Sequence, residues 1–312
     1  MEYLFHLFIL ICIYTILSQS LSLVSGYSGQ ISLAHAGFYG IGAYTTAIMS
    51  VTYGTPPLLN LLLALLLSGI VAYCVARVAV KTVNDYFIII TLGIQVVLFS
   101  LMNNWQSVTN GPLGITGIPS FTIFGLSIVD NWAFLLMSAF FTALVWFVLR
   151  SLMKSPFGRL LKAVSEDEIY TGSLGKNVGQ AKVVSFVISG MMASIAGVLY
   201  AHYISYIDPT SFTLDESLFI LSIVIIGGMQ KLWKIFLAAV LLVLLPEVLR
   251  FMELPSSLAA NIRQIIYGLA ILIVIYSKFI KKCKCKVHQE IVESHQDACV
   301  EETEELSEVI DK

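Results

Sequence analysis

Residues 183–203 read VVSFVISGMMASIAGVLYAHY. No Asp, Glu, Lys or Arg interrupts these 21 positions, and a helix needs roughly 17–25 mostly apolar residues to cross a bilayer. Working outward, the same signature recurs at about 3–24, 58–76, 86–102, 132–150, 216–229, 235–250 and 263–280. The repetition predicts an all-α chain, a polytopic transmembrane helix bundle of about 8–10 membrane segments. Hydrophobic residues make up 57% of the chain and charged residues 12%, against about 25% charged in a typical soluble domain. So little charge cannot cover a water-exposed surface, which excludes a soluble catalytic domain. The first run lacks the basic region of a secretory leader, since no Lys or Arg precedes Arg77. Its apolar stretch also exceeds the roughly 7–15 residues of such a leader, so it reads as a retained membrane helix.

One stretch departs from the plain apolar pattern. Residues 26–51 read GYSGQISLAHAGFYGIGAYTTAIMSV, small residues with Ser28, Gln30, Ser32 and His35 among them. The segment 26–52 crosses as a broken helix, or dips in and returns. Polar side chains at membrane depth are costly and usually face a cavity or a partner helix. Interrupted helices at mid-membrane are common where transporters form substrate paths. Gln30, Ser32, His35 and Gly37 are therefore candidate translocation-path residues; the competing reading is that these groups only bond neighbouring backbone. Small residues also mark the opening run. Ser185, Ser189, Ala193, Gly197 and Ala201 recur every four positions, as do Ser32, Ala36 and Gly40 in the earlier segment. A face that is small from end to end lets helices approach closely in lipid, so both stripes read as packing surfaces.

Orientation follows from Lys and Arg in the short loops. The segment 150–182 holds Arg150, Lys154, Arg159, Lys162, Lys176 and Lys182, whereas 103–131 holds none. The first is expected in the cytosol and the second outside. Arg77 and Lys81, Lys231 and Lys234, and the group from Lys278 to Lys286 then fall inside; 204–215 and 251–262 fall outside. The N-terminus is external if 26–52 crosses once and internal otherwise. The external loop NNWQSVTNGPLGITGIPSF is rich in turn residues, a connector or a docking surface. The cytoplasmic loop, about 151–182, carries more local information. Ser155 and Pro156 supply an N-cap and a first helical position. Phe157, Leu160, Leu161 and Val164 then give a short helix an apolar face. Glu166, Asp167 and Glu168 place acid at the start of a second short helix, with Gly172 and Gly175 as its candidate terminators. Such a helix–turn–helix suits insertion into a groove on a cytosolic partner, or is an ordinary interfacial loop.

The chain divides into a membrane domain, 1–282, and an acidic cytoplasmic tail, 283–312, whose charge without apolar periodicity predicts flexibility. The lysines before the tail can touch anionic lipid headgroups. The string GSLGKN at 172–177 lacks the first Gly and the final Ser/Thr of a P-loop, so the chain is not expected to bind ATP itself. Cys283, Cys285, His288, His295 and Cys299 fit no common zinc spacing, and Cys12 and Cys74 lie in apolar runs. No metal, cofactor or catalytic residue is expected, nor any nucleic-acid partner.

GYSGQISLAHAGFYGIGAY (26–44) resembles the motif of the second segment in LivM-type permeases of bacterial branched-chain amino acid ABC importers. DYFIIITLG (85–93), NGPLGITGIP (110–119), SPFGRLLKAVSEDE (155–168) with LGKNV (174–178) and Lys182, IIGGM (225–229) and LLPEVLR (244–250) are similar to later blocks of that family, in order. The resemblance covers about 20–275. It implies the ABC importer permease fold and a multi-pass protein of the bacterial cytoplasmic membrane. It also implies four kinds of partner: a LivH-type permease, two cytosolic ATP-binding subunits that bind ATP and Mg, an extracytoplasmic substrate-binding protein, and membrane lipid. The loop 155–178 would be the coupling element, with Phe157, Gly158, Glu166, Asp167, Glu168 and Gly175 as candidates, and 26–44 would lie near the passage. Gln230, Lys231 and Lys234 make the turn after GGM more basic than the family pattern, and the tail has no counterpart in it. The implied substrates are leucine, isoleucine and valine, while related permeases carry urea, short amides or other amino acids. A stand-alone secondary transporter or channel would need ionisable residues in its spans; His6, His202 and Glu247 are too sparse for that.

Overall fold

The computed structural model describes residues 2–250 apart from 81, 83, 124, 125 and 129, and beyond them positions 265, 268, 269, 272 and 276. Met1–Ala260 forms one compact unit and Asn261–Lys312 another. The five described positions of the second unit are helical; the rest of the expected span 263–280 and the whole acidic tail lie outside the described residues.

Helix α1 (Glu2–Ser22) continues as a wider π-helical turn over Leu23–Tyr27. An irregular segment, 28–34, leads into α2 (His35–Tyr53), followed by α3 (Pro57–Ala79), α4 (Asn84–Asn104) and the short α5 (Gln106–Thr109). After a loop come α6 (Asn131–Lys154), α7 (Pro156–Glu166), α8 (Glu168–Ser173), α9 (Val178–Ile204), α10 (Leu214–Gly227) and α11 (Leu232–Arg250). Among the described residues, five helices are long and apolar enough to cross a membrane: α1 with its π turn, α3, α4 from Tyr86, α6 and α9. The expected span at 216–229 falls on α10. Helix α10 has 14 residues, about 21 Å at 1.5 Å per residue, and falls short of a hydrocarbon core about 30 Å thick.

Burial separates centre from rim. In their most apolar windows, 78% of α1 and 61% of α9 is buried, against 22%, 22% and 28% for α3, α4 and α6. The outer three turn large side chains such as Leu62, Ile89, Val97, Phe140 and Phe147 outward, as suits helices facing lipid. Helix α2 is buried from His35 to Ala47, because its small residues let backbones touch. A Cβ on Gly42 would lie 2.3 Å from the carbonyl oxygen of Ser194, and one on Gly197 2.1 Å from that of Tyr39. Ser185, Ser189, Ala193, Gly197 and Ala201 are all buried.

One end of the bundle gathers the lysines and arginines of the α6–α9 loop and of the α10–α11 turn. The Tyr27 hydroxyl donates to the Gln230 carbonyl at 2.5 Å, and the Gln230 side-chain amide donates to Gly26 O at 2.9 Å. Helix α7 packs on the π turn and on α9. The end of α1, the α7–α8 loop, the root of α9 and the α10–α11 turn therefore lie together. At the opposite end, strand β1 (Ile115–Thr116) pairs antiparallel with strand β2 (Tyr206–Ile207), which joins the 105–130 loop to the segment after α9.

Candidate functional site

Segment 28–34 is buried apart from Gly29 and Ile31, yet it is not helical. Buried backbone groups need partners, and these come from several elements. Ser28 N donates to Leu23 O at 3.2 Å and Gln30 N to Val24 O at 3.1 Å. Leu33 N donates to Thr91 Oγ1 on α4 at 3.2 Å, and Ala34 N to Ser32 Oγ at 3.3 Å. Helix α2 then starts beside Ser189, eleven residues into α9 from Val178, or about 17 Å along that helix. Its first turn is closed by side chains from elsewhere. Ala36 N donates to Ser217 Oγ at 3.1 Å and Gly37 N to Gln95 Oε1 at 2.6 Å. The Gln95 amide nitrogen donates in turn to Phe212 O at 2.8 Å, in the run before α10. Two helix starts, α2 and α10, thus meet inside the bundle, with Asp215 and Glu216 in the first turn of α10, where acid complements the positive end of the helix dipole.

The four candidate path residues separate here. Ser32 bonds local backbone. Gly37 provides room: a Cβ there would sit 2.5 Å from the Leu98 side chain. His35 Nε2 meets Ser189 Oγ at 2.7 Å, and Ser189 donates to Ser20 O at 2.5 Å. Ser189 has only one proton to give, so His35 carries its hydrogen on Nε2, and its buried Nδ1 is left as an acceptor without a partner among the described residues. Gln30 is fully buried, and among the described residues neither amide atom has a hydrogen-bond partner. The capping side chains Thr91, Gln95 and Ser217 escaped sequence reasoning, although a glutamine within the apolar run 86–102 was a signal.

The loop at the basic end follows its local signals closely. Ser155 Oγ accepts from Gly158 N at 3.4 Å, capping α7. Leu161 and Val164 are buried, and Phe157 packs partly on the core. A Cβ on Gly158 would lie 2.4 Å from Met153 O, so glycine permits the tight α6–α7 corner. Asp167 Oδ1 accepts from Tyr170 N at 2.9 Å and caps α8. Gly175, at φ +74°, follows its end in the left-handed region, whereas Gly172 lies inside α8. Glu166 is exposed. Glu168 bonds Lys182 Nζ at 2.5 Å. Three large apolar side chains that the sequence reading left out point outward: Ile169 is 86% exposed, Tyr170 64% and Leu174 62%.

The family model described as branched-chain amino acid transport system / permease component matches residues 3–275. The chain belongs to this family. Among its relatives, the high-affinity branched-chain amino acid transport system permease protein LivM of Salmonella typhimurium is 37% identical over 76% of this chain and 61% of its own length. The corresponding LivH protein of that organism is 26% identical over 63% of this chain and 68% of its own length. The guanosine ABC transporter permease protein NupQ of Bacillus subtilis is 24% identical over 64% and 67%. The chain spans 61% of the length of the Salmonella typhimurium and Escherichia coli LivM relatives it matches. No solved structure matches it.

Proposed function

We propose that this chain is a permease subunit of an ATP-binding cassette importer for leucine, isoleucine and valine in the bacterial cytoplasmic membrane. It forms the passage with a LivH-type permease, two ATPase subunits drive it, and an extracytoplasmic binding protein supplies the amino acid. The family match over residues 3–275 carries this reading. The basic end faces the cytosol, as the positive-inside bias requires. There α7 and α8 present Ile169, Tyr170 and Leu174 to an ATPase, an apolar contact that water alone would not favour. The chain does no ATP chemistry and holds no cofactor; ATP and Mg bind the partner subunits.

The test is uptake of radiolabelled leucine into proteoliposomes holding this chain, its companion permease, both ATPases and the binding protein. ATP-dependent uptake that unlabelled isoleucine and valine suppress is the expected result. ATP-dependent uptake suppressed by guanosine or urea instead would replace the substrate. The guanosine-permease relative favours including guanosine as a competitor. Absence of ATP-dependent uptake of any of these compounds would overturn the reading.

A further inference from the structure

Helix α8 has only six residues, Glu168–Ser173, far below the length at which a helix holds itself in water. Its place depends on what ties it down. Residues three apart share a helix face, so Glu168 and Thr171 look the same way. Thr171 is buried at 3% exposure, and Glu168 reaches Lys182 in the second turn of α9. The Lys182 side chain is 3% exposed and that of Glu168 49%; among the described residues no other carboxylate meets this ammonium. Around the same short helix, Ile169, Tyr170 and Leu174 face outward. The helix thus presents its large apolar side chains, while its one carboxylate, half exposed, is tied back to α9.

Resting on the permease reading above, we propose that Glu168 acts inside the chain rather than on the ATPase. Its ion pair with Lys182 clamps α8 to the root of α9, so that a push on the apolar patch moves a membrane-crossing helix. Glu168 and Lys182 are positioning residues. Without Glu168 the buried ammonium has no counter-charge, which destabilises its place, and α8 loses its side-chain ion pair to α9.

Two measurements test this. In the reconstituted importer, the quantity read is amino acid imported per ATP hydrolysed, which a change in protein amount does not alter. Glu168→Lys and Lys182→Glu should each lower it about tenfold, and the double exchange should restore it to within about threefold. In the full chain in lipid nanodiscs, a spin label at Gly172→Cys should become mobile in each single variant and regain its native lineshape in the exchange. The lineshape needs no partner and no transport, so it still judges the clamp if the importer reading fails. Single variants with the native ratio, or with the native lineshape, overturn the proposal. If the exchange does not assemble, Glu168→Gln decides: loss of ratio and a mobile label support the clamp, and native behaviour overturns it.

Discussion

The amide of Gln30 is buried, and among the described residues neither its nitrogen nor its oxygen has a hydrogen-bond partner; leaving a polar group so costs about 1–3 kcal/mol. Replacing it by leucine removes that penalty at similar volume. The Gln30→Leu chain is therefore expected to melt no lower than the native chain when unfolding is followed by fluorescence in detergent or nanodiscs. A fall of several degrees would show that the amide finds a partner in the membrane-embedded protein. Ser32 and His35 differ from Gln30 in this respect: one hydroxyl serves local backbone, and one ring nitrogen is held by Ser189. All three read alike in the sequence, as polar residues in an apolar stretch. Which is satisfied depends on groups as far as 154 residues away.

At the scale of elements, α2 owes its start to its neighbours. A helix leaves its first N–H groups without intrahelical partners, and inside an apolar bundle water does not supply them. Ser217 from α10 and Gln95 from α4 do. Gln95 also holds Phe212 O, so Gln95→Leu abandons a buried carbonyl as well as weakening the cap. We expect it to destabilise the chain by about 2 kcal/mol or more, against about 1 kcal/mol for Ser217→Ala. Thermal unfolding of the two variants checks the order, and a milder Gln95→Leu would contradict the bridging role. Helices α7 and α8 behave differently. Ser155, Pro156, Asp167 and Gly175 act within a few residues of themselves, which is why that loop was legible from sequence. Only the direction in which α8 faces was not, because it depends on Lys182, 14 residues on.

For the whole molecule, the charge map and the packing lead to one topology. The end of α1 lies with the basic loops, and 28–53 returns toward the opposite end, so Glu2 should share a side with the 105–130 loop. Leu113 suits a reporter there, since it is 81% exposed. In a background lacking the five native cysteines, Glu2→Cys and Leu113→Cys should react with an impermeant maleimide in intact cells. Gly172→Cys, whose Cβ would meet nothing within 4 Å, should react only after permeabilisation; the reverse pattern would invert the orientation. The sequence by itself determined where the long apolar runs lie, which loops are basic and how the α7–α8 loop is capped, because each depends on residues close together in the chain. The opening run 183–203 is central for the same reason: its small residues every four positions mark a face that backbones can approach. Only the tertiary structure decided that the break falls at 28–34, that α2 starts inside the bundle, and that Glu168 pairs with Lys182. Buried backbone and charge take whatever partner the packed bundle brings near, and for α2 those partners lie 58 and 181 residues away.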